Sequence, residues 1–444
     1  MTQVELIRAP FFHTPVNAFR DDRALVCQED GALLIRDGRI AESGDFAAVR
    51  QAFPGAAVTD WRDGFVLPGF VDTHVHFPQL RILGGLGRTL LDWLEHVALP
   101  EEARMADVAY ATGTANRFVD ALAAHGTTTA LVFGSHFAPA TAALFEAAGA
   151  AGLRVLSGLV VSDRYLRPEL HQSPRDAYRD SSELIRRFHR HGRLLYAVTP
   201  RFALSASEAM LEICGTLLAE HEGLRVQTHI NESVAEIAEV PKLFPWAADY
   251  LAVYERFGLT GARTVLAHDV HPTDAELERL AAGRTSIAHC PSSNAALGNG
   301  IFPLRRHVDA GVTCAIGTDV GGGTGFGMLK EGLQAHLMQR VAADGMNLDP
   351  ARLCYLVTRA GADAVGLGDE IGDFRPGKAA DLVYIRPPAE SSLAEVLSRV
   401  QSLEESLAAI FTLAGPESVR EVRVAGQPVH RAGEPMPGPQ QLAR

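Results

Sequence analysis

Two histidines, His74 and His76, stand one residue apart in the stretch PGFVDTHVHFPQ, which runs from Pro68 to Gln79. The neighbouring residues favour a strand, in which side chains two apart share a face and sit roughly 6.6 Å apart along the chain. Two imidazoles aimed together from one strand are half of a metal site. The chain has seventeen histidines, so one His-x-His could arise by chance and the other half must be found elsewhere. Candidates are His229 in QTHINE, His268 in LAHD and Asp319 in IGTD. Each alone has an ordinary reading, as a hydrogen-bonded core histidine or an aspartate capping a turn or helix. Together they form a set of imidazole nitrogens and one carboxylate, suited to zinc and tolerated by iron or manganese. Three histidines and an aspartate leave a position for water, whose pKa a bound zinc lowers to about 7. Glu232, three residues past His229, is placed to carry that water's proton, although an acid at a helix start is its simpler reading. His289 in AHCP is read as structural, because the ligand set is already filled.

A second group could read a flat polar ligand. Gln79, three past His76, offers an amide with donor and acceptor ends. Arg201 and Phe202, in TPRF, offer a fork of donors beside an aromatic face. Edge hydrogen bonds with face stacking suit a planar heterocycle with ring nitrogens and a carbonyl. The simpler readings are a surface ion pair for Arg201 and core packing for Phe202, and Trp93 in DWL reads as a packing aromatic.

These residues can meet only if the fold brings distant segments to one place. Eight strand-like runs occur: FVDTHVH, TTTALVF from Thr127, LRVLSGLVV from Leu153, LLYAVTPRF from Leu194, LRVQTHI from Leu224, TVLAHD from Thr264, TSIAHCP from Thr285 and CAIGTD from Cys314. Stretches with apolar residues at helical spacing, such as ASEAMLEICGTLLAEHEG, lie between them. Eight strands alternating with helices over about 250 residues predict an α/β fold, a (β/α)8 TIM-like barrel whose C-terminal strand ends share one mouth. The candidates sit at those ends: His74 and His76 on the first strand, Arg201 on the fourth, His229 on the fifth, His268 on the sixth, Asp319 on the eighth. Both termini read as β instead. ALLIRDGRIAESGD is a hairpin about Asp37-Gly38, and VREVRVAGQPVHR turns at Ala425-Gly426. The expected organisation is a small β-sandwich domain built from residues 1–66 and 372–444 around a barrel at 67–371.

Bulk properties narrow the function classes. A formal charge of −12 argues against a nucleic-acid surface, and the Arg-rich ELIRRFHRHGRL reads as a solvated helix face. No apolar run approaches the roughly 18 residues of a membrane span, and MTQVELIRAPFFHTP lacks a signal-peptide pattern. Five scattered cysteines without Cys-x-x-Cys suit reduced thiols in a cytoplasm. No G-x-G-x-x-G follows an early strand, and there is no complete phosphate-binding G-x-x-x-x-G-K-[ST], no G-x-S-x-G and no H-x-E with P-C-x-x-C.

The motifs PGFVDTHVH, QTHINE, LAHD and IGTD, with PGKAADLV near the C-terminus, resemble the amidohydrolase superfamily. THVHFPQ, SDRYL, YAVTPRFALS, QTHINESVAEI, SIAHCPSSNAALGNGIFPL and GTDVGGGTGFGML resemble, more narrowly, its guanine deaminase family. The resemblance implies zinc-dependent hydrolysis of guanine to xanthine and ammonia in a cytoplasmic homodimer. It implies one zinc per chain, held by His74, His76, His229 and Asp319, with His268 on the metal or on the catalytic water. Glu232 would be the proton shuttle, aided by Asp319, and both would also touch substrate with His229. Gln79, Arg201 and Phe202 would bind guanine. The fourth strand ends in Arg201, with no lysine to bridge two metals, and Asp269 after His268 departs from the usual small or polar residue. The glycines of GGGTGFG allow close approach or movement over the ligand. The nearest alternative is another superfamily deaminase or chlorohydrolase acting on a pterin, 8-oxoguanine or a triazine. A barrel with a decayed site is a further alternative, but every ligand and the acid are present.

Overall fold

The computed structural model describes residues 4–434. Eight parallel strands follow one another in chain order around a barrel. They are Phe70–His76, Thr127–Phe133, Arg154–Gly158, Leu194–Pro200, Arg225–Ile230, Thr264–His268, Ser286–His289 and Cys314–Ile316. A short extension, Val160–Val161, continues the third strand along the fourth. Helices such as Val108–Ala124 and Asp274–Gly283 fill the crossovers. The latter starts at a reciprocal cap in which the Thr273 side chain accepts from Glu276 N–H and the Glu276 carboxylate accepts from Thr273 N–H.

The seam between the eighth and first strands is closed by the residues that carry the site. Asp319 N–H donates to His74 O at 2.8 Å, and His76 N–H donates to Val320 O at 2.9 Å. Below them the buried Asp72 carboxylate accepts from Thr318 Oγ1 at 2.5 Å, Thr318 N at 3.0 Å and His74 N at 3.2 Å. Burial pushes its pKa up to about 7 against those bonds. The strands approach so closely that a Cβ on Gly317 would stand 2.7 Å from His74 Cβ.

Both ends of the chain meet in a separate eight-stranded sheet. Strands Val26–Arg36 and Arg39–Asp45 pair about Asp37 and Gly38, whose φ values of 51° and 77° are those a type I′ turn needs. Val419–Val424 and Gln427–Arg431 pair about Ala425 and Gly426 in the same way, at 47° and 74°. Phe65–Pro68 joins the two halves, pairing with Val4–His13 on one side and Leu382–Ile385 on the other. That strand leads directly into the first barrel strand, so the sheet anchors the chain just before His74.

Gly317→Ala is expected to destabilise the protein by about 1–3 kcal/mol, the usual range for overpacking. The check is the denaturant midpoint; a midpoint equal to wild type would mean that the seam separates without cost.

Candidate active site

Local backbone irregularity aims the side chains into the mouth. In the first strand three steps, Asp72 to Val75, lie opposite two in its neighbour, Ala130 to Val132. Such a bulge re-aims a strand, and His74 sits within it. Asn231, His268, Asp269 and Asp319 all have positive φ, between 45° and 76°. Non-glycine residues rarely adopt that conformation, and it gathers at functional sites when the surrounding structure holds it there. Here it occurs just past the fifth, sixth and eighth strands, where the chain must turn its side chains inward.

His74 Nε2 lies 3.2 Å from His76 Nε2, and His229 Nε2 lies 3.3 Å from His76 Nε2. Asp319 Oδ1 is 3.3 Å from both His74 Nε2 and His76 Nε2. His268 completes a second set with His74 and His229, all ligand atoms within 4.8 Å. Ligands about 2.05 Å from a tetrahedral zinc are separated by about 3.3 Å, which these spacings match. Burial holds the pKa values of His74, His76 and His229 below the ordinary histidine value and that of His268 at about 4. The rings are therefore neutral, the form that binds a metal. Asp319 stays ionised because His74 and His76 face its carboxylate and outweigh the opposing effect of burial. The outer nitrogens are fixed too: His229 Nδ1 donates to Arg201 O at 2.6 Å and His268 Nδ1 to Asn294 Oδ1 at 2.9 Å. Each bond leaves an Nε2 lone pair facing the cluster. This donor set fits a zinc ion.

Glu232 lies beside the cluster, with Oε2 3.5 Å from His268 Nε2. Its Oε1 accepts from Asn299 Nδ2 at 2.9 Å, which leaves the other oxygen facing the cavity. Its backbone N–H donates to the buried Glu236 carboxylate at 3.0 Å. Burial, then Glu236 and Asp319, raise the Glu232 pKa well above that of an ordinary carboxylate. Such a group can take up a proton more readily than an ordinary carboxylate and give it up again.

The cavity in front of these groups, about 370 Å³, is lined on its polar side by Gln79 and Arg201 and on its apolar side by Leu90, Trp93, Leu94, Phe202 and Leu297. Trp93 therefore forms wall as well as core. Gln79 Nε2 donates to Glu102 Oε1 at 2.7 Å, and Arg201 Nη1 donates to both Glu102 oxygens at 2.8 Å. Gln79 Oε1 accepts from Gly321 N at 3.0 Å. Gly321 and Gly323, the start of the glycine-rich segment, pack where Cβ atoms would lie 2.7 Å from Gln79 O and 1.9 Å from Thr318 O. Close approach is what these two glycines provide.

Sequence reasoning missed Glu102, Asn294, Asn299 and His307. Nothing local marks Glu102: it is one of four acids in LDWLEHVALPEEARM. His136 might have been found by position, since it follows the second strand by three residues as Gln79 follows the first; its Nδ1 is 3.5 Å from Glu102. His289 is buried, stacked on Phe302 at 4.3 Å, and its ring nitrogens have no hydrogen-bond partner among the described residues.

The sequence model of the Amidohydrolase family matches residues 65–429, and that of an imidazolonepropionase-like composite domain matches 31–56. A probable guanine deaminase of Deinococcus radiodurans is 56% identical over 429 residues, covering 95% of this chain and 98% of its own. The structure of E. coli guanine deaminase superposes with a TM-score of 0.93 at 37% identity, covering 97% of this chain and 100% of its own. Guanine deaminase from C. acetobutylicum, solved with guanine bound in its active site, superposes with a TM-score of 0.89 at 26% identity over 96% and 100%.

Asp269, next to His268, is wholly buried, and its Oδ2 accepts from His307 Nε2 at 2.9 Å. His307 Nδ1 lies 3.0 Å from Pro303 O, so both ring nitrogens have a partner. Asn231 Nδ2 donates to Asp269 Oδ1 at 2.9 Å, which ties the turn after the fifth strand to the turn after the sixth. His307→Phe leaves that buried carboxyl without its ring partner, and the expected cost is about 1–3 kcal/mol. Equilibrium denaturation measures it; a variant as stable as wild type would show that the pair does not hold the turn at His268.

Proposed function

The chain belongs to the amidohydrolase family, and from that premise we propose that it is a hydrolase removing the exocyclic amino group of guanine, giving xanthine and ammonia. The observation that carries the reading is one cavity in which a zinc-fitting cluster and a buried acid face Gln79, Arg201 and Phe202. The likeness to guanine deaminases over nearly the whole chain supports it.

In this reading His74, His76, His229 and Asp319 would hold one zinc, which would lower the pKa of a water to about 7. Glu232 takes the water's proton and passes it to the ring nitrogen beside the attacked carbon; it then takes the proton of the newly added hydroxyl and delivers it to the exocyclic amino group, which leaves as ammonia. Its raised pKa suits a group that must both accept and donate. Asn299 holds one Glu232 oxygen and leaves the other for the proton. His268, its outer nitrogen fixed by Asn294, turns Nε2 toward Glu232 and Asp319 and orients the water between them. Phe202 and Trp93 bound the plane of the base, while Gln79 and Arg201 meet its edge.

A homodimer acting in the cytoplasm goes with the same reading. Five free cysteines fit a reducing compartment, and no helix among the described residues is long and apolar enough to cross a membrane.

The test is release of ammonia and xanthine from guanine by zinc-replete protein, run beside a pterin, adenine, cytosine and 8-oxoguanine. Turnover of guanine is expected; turnover of another ring alone would keep the hydrolase and discard this substrate. Glu232→Gln is expected to keep the metal and to lower kcat at least about 10²-fold, the scale of general acid–base catalysis. Near-normal kcat with full metal content would remove Glu232 from the mechanism.

A further inference from the structure

The polar edge of the cavity is held in one orientation by a residue that itself lies behind it. Gln79 has its carbonyl end on Gly321 N–H and its amide nitrogen on the Glu102 carboxylate. A turned-over amide would set N–H against N–H at Gly321 and oxygen against oxygen at Glu102, so the partners themselves fix the assignment of the two ends. One amide hydrogen of Gln79 remains uncommitted. Among the described residues only Nη1 of Arg201 has an acceptor, Glu102, which leaves the hydrogens of Nε and Nη2. With the Gln79 carbonyl oxygen drawn back onto Gly321 N–H, what these two side chains chiefly turn to a ligand is hydrogen-bond donors. Glu102 is 2% exposed. Burial alone would raise its pKa, but the Arg201 guanidinium, with the Gln79 amide, holds it below the ordinary value. An ionised carboxylate accepts only, so Glu102 cannot present a donor that would let Gln79 turn.

We propose that Glu102 is a positioning residue that turns the donor ends of Gln79 and Arg201 to this edge of the cavity, so that the site prefers planar bases presenting a ring carbonyl and ring-nitrogen acceptors there over bases presenting an amino group. The inference rests on reading the cavity as a purine site and deepens it by naming what the site rejects. A guanine whose 2-amino group faces the metal cluster turns O6 and N7, both acceptors, to the far edge. A 6-amino group in the same place would bring N–H against N–H. A site built on buried, committed hydrogen-bonding groups discriminates far more strongly than an apolar wall can.

Hypoxanthine and adenine isolate this contact, because both lack the 2-amino group and differ only in carbonyl or amino substitution at position 6. Calorimetric titration of zinc-loaded protein is expected to show hypoxanthine binding at least about 10²-fold more tightly than adenine. In Glu102→Gln, where Gln79 is free to turn, that ratio is expected to fall at least about tenfold at unchanged metal content. If that variant fails to fold, Gln79→Met, which removes the oriented amide at similar volume, must lower the ratio by itself. Equal weakening of both bases with the ratio preserved would make Glu102 merely structural and would overturn the proposal. Guanine turnover by the same wild-type preparation separates the two readings. Absent turnover, with a hypoxanthine preference that disappears in the variants, would discard guanine and support Glu102. Normal turnover with a ratio indifferent to both variants would discard Glu102 alone.

Discussion

Nitrogen lone pairs from three imidazoles and a carboxylate oxygen converge at spacings of 3.2–3.3 Å. The geometry depends on that convergence. Without a cation such atoms repel, and in a buried site there is little water to screen them. The protein holds them together by means built into the strand ends: a bulge at His74, left-handed residues at His268 and Asp319, and backbone bonds that close the barrel at the same two residues. The seam of the barrel and the donor cluster are one structure, so what loosens the first disperses the second.

The charges around the cluster follow from the same constraint. Asp72, Glu102, Glu232, Glu236 and Asp269 are all buried within the barrel or at its mouth, and each is held by named hydrogen-bond partners. They differ in the kind of partner. Glu102 faces the Arg201 guanidinium and Asp269 faces the His307 ring, and these carboxylates serve as fixed anchors. Glu232 has a neutral amide on one side, and burial with two further carboxylates nearby raises its pKa. Two roles for chemically equal groups thus arise from their neighbours.

Much of this was legible in the sequence because barrel strands are short, apolar and punctuated at their ends. All eight runs read from the sequence correspond to barrel strands. The hairpins at Asp37-Gly38 and Ala425-Gly426 were marked by the residue type that positive φ requires. His74, His76, His229, His268 and Asp319 could be singled out because strand-end position gave each a common destination. Glu102 and His307 could not. Each acts through a partner distant in sequence, Arg201 in one case and Asp269 in the other, separated by 99 and 38 residues. Such pairing is decided by packing between loops and helices, where no period or motif points to a partner. The bulge at His74 was equally hidden, since a strand with one extra residue reads like any other.

The most direct test is X-ray absorption at the zinc edge of protein loaded with one equivalent of metal. The account expects imidazole scattering with nitrogen and oxygen ligands at about 2.0–2.1 Å and no sulfur. A spectrum without imidazole, or one with sulfur from the buried cysteines, would contradict it, because the convergence of the histidines would then have some other cause.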